Sequence, residues 1–187
     1  MMNITNKQLV RAIYSQWDFQ QALSSLTFLL EECNFQQTYS KVQLRRFRCF
    51  ESQLIISLSR PFEQSRTGTT LSLKAFEIKL NSGQEELLNK ILRLRKKVIA
   101  HSDEEEMHFR STSLSVLDGQ FNFPHFQFNE GLHLEEGELF ALEKLLHSLM
   151  DSLATVFFQI AQDSPSLINQ YVEPESLTQL WDTSRPS

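Results

Sequence analysis

Five cations, Lys90, Arg93, Arg95, Lys96 and Lys97, crowd into one short stretch, and His101, Ser102 and Asp103 follow directly behind. A phosphodiester calls for positive charge against its free oxygens, which a guanidinium supplies. Its cleavage by a neighbouring hydroxyl calls for a group that exchanges protons near neutral pH, which an imidazole supplies. Such chemistry needs no metal, because RNA brings its own nucleophile in the 2′-hydroxyl. The same residues have a plainer use: cations in a last helical turn complement the helix dipole, and a histidine there caps open carbonyls. On an ideal helix Arg95 and His101 lie about 120° apart around the axis and about 9 Å apart along it. Arginine's length, a frayed helix end or a second subunit must therefore bring them together.

Other groupings carry less chemistry. Lys41, Arg45 and Arg48 share one face of a predicted helix and either extend a phosphate track or form a solvated surface. The run Asp103-Glu104-Glu105-Glu106 has no accompanying HExxH or similar spacing, so no metal site and no cofactor is expected. His108, His125, His133 and His147 are scattered, with no spacing that argues for a Ser-His-Asp or Cys-His arrangement. Gly68, Gly83, Gly119, Gly131 and Gly137 are isolated, which excludes a glycine-rich phosphate loop and counts against nucleotide-hydrolysing or dinucleotide-using enzymes.

The elements that must position the basic stretch are mostly helical. Leu9, Ile13, Trp17, Leu23, Leu26 and Leu30 recur at helical spacing over 5–32. Phe47, Phe50, Leu54 and Leu58 do so over 40–59, where the helix should stop at Arg60 ahead of Pro61. Residues 61–82 read as a loop with a short helical turn near 73–78. A third helix is signalled by Ser82 and Glu85, an S-x-x-E capping box ahead of Leu87, Leu88, Ile91, Leu92, Leu94 and Val98, and it should end near His101. The period then changes to two on either side of Asp118-Gly119, which predicts a β-hairpin over about 107–128. Phe121 and Phe123 fall on one parity and Phe126 and Phe128 on the other, so a bulge or break at Pro124 is expected. This Phe-rich hairpin either stacks bases or, as is commoner, packs on the helices or on a second subunit. A fourth helix over 135–162 lines Leu139, Leu142, Leu146, Leu149, Leu153, Phe157 and Ile160 on one stripe. The fold expected is mainly α, an antiparallel bundle of four long helices with a hairpin inserted between the third and fourth. It forms a single domain over 1–163 with a tail over 164–187, where Leu177, Leu180 and Trp181 offer a docking turn.

Composition bounds the partners. The 187 residues suffice for one core without disulfides. Cys33 and Cys49 form no CxxC, and residues 1–7 lack the pattern of a secretion signal, so a reducing, cytoplasmic setting is expected. No apolar run is long enough to span a membrane. The net charge of −5 counts against a general nucleic-acid coat but leaves room for a local basic site.

The run Arg95-Lys96-Lys97-Val98-Ile99-Ala100-His101-Ser102-Asp103 resembles the signature of HEPN domains, an Arg followed a few residues later by His, in the form found in some phage-defence and toxin-type members. The preceding helix with its Ser82 cap is similar as well. Beyond this motif the likeness extends to helix order and lengths. The resemblance implies a dimerising all-α bundle in which the Arg and His of both subunits meet in a composite cleft. Arg95 would then bind phosphate and His101 act as general acid or base, with Arg93, Lys96, Lys97 and Ser102 as RNA-binding neighbours. Many catalytic members carry Asn, Asp or His directly after the Arg, where this chain has Lys96, which keeps phosphate affinity but cannot accept a hydrogen bond while charged. Two functions follow as expectations. One is an RNA-directed homodimer, a metal-independent endoribonuclease of toxin or defence type with an antitoxin as partner protein. The other is a non-catalytic helical interaction module on the same scaffold.

Overall fold

The computed structural model describes residues 4–64, 68–99, 109–116, 121–128 and 130–171. Helix α1 spans Asn6–Glu32, α2 spans Lys41–Ser59, α3 spans Ser82–Leu94 and α4 spans Glu136–Asp163. Strands β1, Phe109–Val116, and β2, Phe121–Phe128, form a two-stranded antiparallel hairpin between α3 and α4, and a short α5, Pro165–Asn169, follows. This is the predicted mainly helical bundle. α1 packs on α2 and α4, and α3 packs on the same two helices, closing a four-helix ring around the core.

Each long helix begins with a polar residue that trades hydrogen bonds with the third helical position. Thr5 pairs with Gln8, Ser40 with Gln43, and the Glu135 N–H donates to Glu138 Oε2 at 2.9 Å. For α3 the predicted Ser82-Glu85 box is displaced by one residue. Asn81 is the cap: its Oδ1 accepts from the Gln84 N–H at 2.9 Å while its own N–H donates to Gln84 Oε1 at 3.0 Å, and Ser82 becomes the first helical residue. Asn81→Ala should therefore lower stability by about 1 kcal/mol, read as a shifted urea midpoint at unchanged slope.

Of the apolar positions expected on α1, Leu9 and Leu26 are buried and Leu23 and Leu30 pack against the core. Ile13 and Trp17 are exposed, and the core line runs through Ala12, Ser15, Phe19, Ala22, Leu26 and Leu29. The small side chains in that line let a neighbouring helix approach closely, and the Ser15 and Ser25 hydroxyls donate back to the Arg11 and Gln21 carbonyls. At the end of α2, Arg60 keeps right-handed helical angles despite Pro61, because the chain tightens into a 3-10 turn, Arg60–Phe62, where the missing proline N–H has no helical acceptor to serve. The predicted loop 61–82 is anchored in the core by Leu71, Phe76 and Ile78. Its helical turn closes through the Ile78 N–H to the Leu73 carbonyl at 2.9 Å, with Glu77 at a positive φ of 54°.

α4 buries Leu139, Leu142, Leu145, Leu146, Leu149 and Leu153 and is the central packing helix. Past its end, Gln170 and Tyr171 both hydrogen-bond Asn6 at the start of α1. The Asp118-Gly119 turn and the tail residues Leu177, Leu180 and Trp181 lie outside the described residues. Among the described residues, no helix is long and apolar enough to cross a membrane.

Candidate functional site at the end of α3

Three buried side chains, Leu88, Ile91 and Leu94, seat α3 on the bundle, and the helix then widens. Residues Arg95–Ile99 form a single π-helical turn. The wider turn lets Val98 and Ile99, neighbours in sequence, both pack against the core. Insertions of this kind are frequent at functional sites.

Arg95 stands at the junction. Its N–H donates to both the Ile91 and Leu92 carbonyls, so its backbone is held firmly. Its side chain is only 26% exposed and lies towards the turn after α2, with Nε 3.9 Å from Glu63 Oε2. That separation is too long for a hydrogen bond, and Nε is buried with no hydrogen-bond partner. A guanidinium with an unmet buried donor is a ready acceptor of an anion, because pairing it would recover a desolvation cost of about 1–3 kcal/mol. On the same 3-10 turn, Arg60 is directed elsewhere, to the buried Asp18, which it approaches at 3.5 Å and which Arg11 approaches at 3.2 Å.

Of the other predicted residues, Arg93 and Lys96 are exposed and Lys97 is half-buried. His101 and Ser102 lie outside the described residues, as do His108 and the acidic run at 103–106. Lys90 is not part of the basic cluster. Its Nζ grips both carboxylate oxygens of Glu138, at 2.5 and 2.7 Å, tying α3 to the first turn of α4. Burial alone would raise the Glu138 carboxyl, but the Glu135 N–H and Lys90 hold it below the usual range.

The cations on the basic face of α2 have partners within the chain. Arg45 forks onto Glu130 at 2.8 and 2.9 Å, with Lys41 at 3.8 Å from the same carboxylate. Arg48 donates to the Gly131 carbonyl at 3.3 Å and meets His133 Nε2 at 2.7 Å. Since arginine keeps its protons, Nε2 must accept there, which makes His133 the neutral tautomer protonated on Nδ1. The three α2 cations thus fasten the segment that leads from β2 into α4.

One residue that the apolar pattern hides is Glu51. It occupies a core position between Phe47 and Leu54, is 1% exposed, and its Oε1 accepts from the His133 and Leu134 N–H groups at 2.7 and 2.8 Å. Burial pushes its carboxyl up to about 7, against the opposing pull of those two hydrogen bonds and of Arg48 and Lys90. A glutamate at the i+4 place of an apolar stripe is the sequence signal that would have marked it. Burial likewise raises the Cys33 thiol, with Glu136 and Glu51 adding to the effect, so Cys33 is a poor nucleophile. Among the described residues, no cluster of three His, Cys, Asp or Glu side chains is placed to hold a metal ion.

The chain matches no family model, no curated protein and no solved structure. The likeness to HEPN domains therefore rests on the residues of the 95–103 motif.

Proposed function

We propose that the chain is a HEPN-like, RNA-directed protein that acts as a homodimer, a metal-independent endoribonuclease of toxin or defence type. The observation that carries this reading is the Arg95 guanidinium, backbone-pinned on a π turn, half-buried, with an Nε that has no hydrogen-bond partner and only a long contact to Glu63. In the reaction, the RNA 2′-oxygen attacks the adjacent phosphorus and the bond from phosphorus to the 5′-oxygen breaks. The products are a 2′,3′-cyclic phosphate and a free 5′-hydroxyl. Arg95 neutralises the charge gathering on the free phosphate oxygens, and His101 takes the 2′-hydroxyl proton or hands one to the departing 5′-oxygen. Arg93, Lys96, Lys97 and Ser102 hold the flanking strand.

The test is incubation of RNA with the purified chain in excess chelator, wild type against His101→Ala, with product ends analysed. Cyclic phosphate ends that vanish in the variant are expected. Undiminished cleavage by His101→Ala would remove the catalytic role.

A second reading, a non-catalytic interaction module that binds an antitoxin or another partner protein, draws on the hairpin, whose main contacts among the described residues are between its own two strands. Stoichiometric recovery of one protein, with no RNA and no cleavage, would favour it.

A further inference from the structure

The hairpin register is unbroken across eight pairs, from Phe109↔Phe128 to Val116↔Phe121, with Pro124 opposite Ser113. The expected bulge at Pro124 is absent, so the two phenylalanine pairs occupy opposite faces instead of being reconciled onto one. The faces differ in kind. One carries Ser111, Ser113 and Ser115 beneath Phe126 and Phe128. The other carries Arg110, Leu114, Phe121, Phe123 and His125. Both nitrogen-bearing basic side chains of the strands lie on this second face, and neither strand contains a carboxylate.

On that face the Phe121 and Phe123 rings stand 6.5 Å apart and 24° from parallel. That separation is the ordinary repeat of alternate residues on one face of a strand, so the two rings present a continuous aromatic surface of the kind on which bases stack. The two side chains are 53% and 56% exposed. A two-stranded ribbon with bare aromatic rings is marginal in water, so these rings call for an occupant. Addition of a partner's strand along β2 is disfavoured, because Pro124 removes a donor from the middle of that strand and proline in a ribbon turns its nitrogen to the outer edge. Single-stranded RNA fits better, since it alternates flat bases, for the Phe rings, with phosphates, for Arg110.

We propose that the Arg110, Phe121 and Phe123 face of the hairpin is a stacking platform for single-stranded RNA. It rests on the RNA-directed reading above and gives that reading a strand-holding surface apart from Arg95.

The test uses the full chain and a fluorescent 2′-O-methyl oligouridylate of about a dozen nucleotides, which lacks the free hydroxyl and cannot be cut. Anisotropy is followed in chelator. The double variant F121L/F123L, which stays apolar but loses both ring faces, should bind at least about tenfold more weakly, while F121Y/F123Y should bind as wild type. Arg110→Gln should flatten the dependence of log affinity on log salt by about 0.7, the value for one phosphate contact on a single strand. Wild-type affinity in F121L/F123L would overturn the platform, as would a change of oligomeric state in that variant without a change in affinity, which would assign the face to a protein contact. A wild-type chain that binds this probe yet never cleaves RNA would sink the catalytic reading and leave the platform standing.

Discussion

Arg95→Ala and His101→Ala should each lower chelator-resistant RNA cleavage by about a hundredfold or more, the usual cost of losing a preorganised charge stabiliser or a general acid or base. Because the two would act on one transition state, the double variant should fall little further than either single one. The Arg95 loss should not come from unfolding. Its ion pair to Glu63 is long and partly exposed at both ends, so removing it should shift stability by no more than about 1 kcal/mol. Arg95→Lys keeps the charge but lacks the planar fork, and should recover only part of the rate. Glu63→Gln works in the opposite direction. Among the described residues Glu63 is the carboxylate near Nε, so removing its charge should let RNA bind somewhat more tightly without a loss in turnover. Equal rates in wild type and Arg95→Ala, with both folded by circular dichroism, would remove Arg95 from the chemistry.

How much of this was readable beforehand depended on how local each signal is. The four long helices follow from spacing and caps, because capping is decided within four residues. Even so, Asn81-x-x-Gln84 and Ser82-x-x-Glu85 satisfy the same pattern one residue apart, and only geometry chooses between them. Two positions of α1 depart from the apolar pattern for a different reason. Ala12, Ser15 and Ala22 are core positions because close helix approach favours small side chains, whereas hydropathy gives more weight to Ile13 and Trp17, which are exposed. The basic stretch was visible as a charge run, but its division was not. Lys90 belongs to Glu138, 48 residues away, and Arg48 to His133, 85 residues away, and no periodicity reports such pairs. The π turn at Arg95 was equally hidden, since it depends on how Val98 and Ile99 meet the core. His101, the other half of the predicted pair, falls outside the described residues.

Glu51 should make the fold less stable as pH rises from the normal carboxylate range towards neutrality. The folded carboxyl titrates at about 7 against an ordinary value of 4.5, so between those values the native state holds a proton that the unfolded chain has released. Stability is therefore greatest below the lower value and declines through the window, by up to about 3 kcal/mol. Desolvation is the cause, because Oε2 is buried without a partner while Oε1 alone accepts from His133 and Leu134. Arg48 and Lys90 soften the effect. Comparison with Glu51→Gln separates these contributions. The amide oxygen still accepts both N–H bonds and does not ionise, so this variant should equal or exceed wild type by about 1–2 kcal/mol near pH 8 and lose that advantage near pH 5.5 in urea melts. Glu51→Ala should instead cost about 2–4 kcal/mol near pH 5.5, because two buried N–H groups lose their acceptor and a cavity opens. A Gln variant that tracks wild type across the whole range would show that Glu51 does not titrate in this window. The clasp also has a mechanical consequence: Glu51, Arg45 and Arg48 together hold residues 130–134, through which β2 joins α4. Glu51→Ala should thus loosen the root of the hairpin and weaken oligouridylate binding, even though Glu51 is buried in the bundle and outside the proposed RNA face.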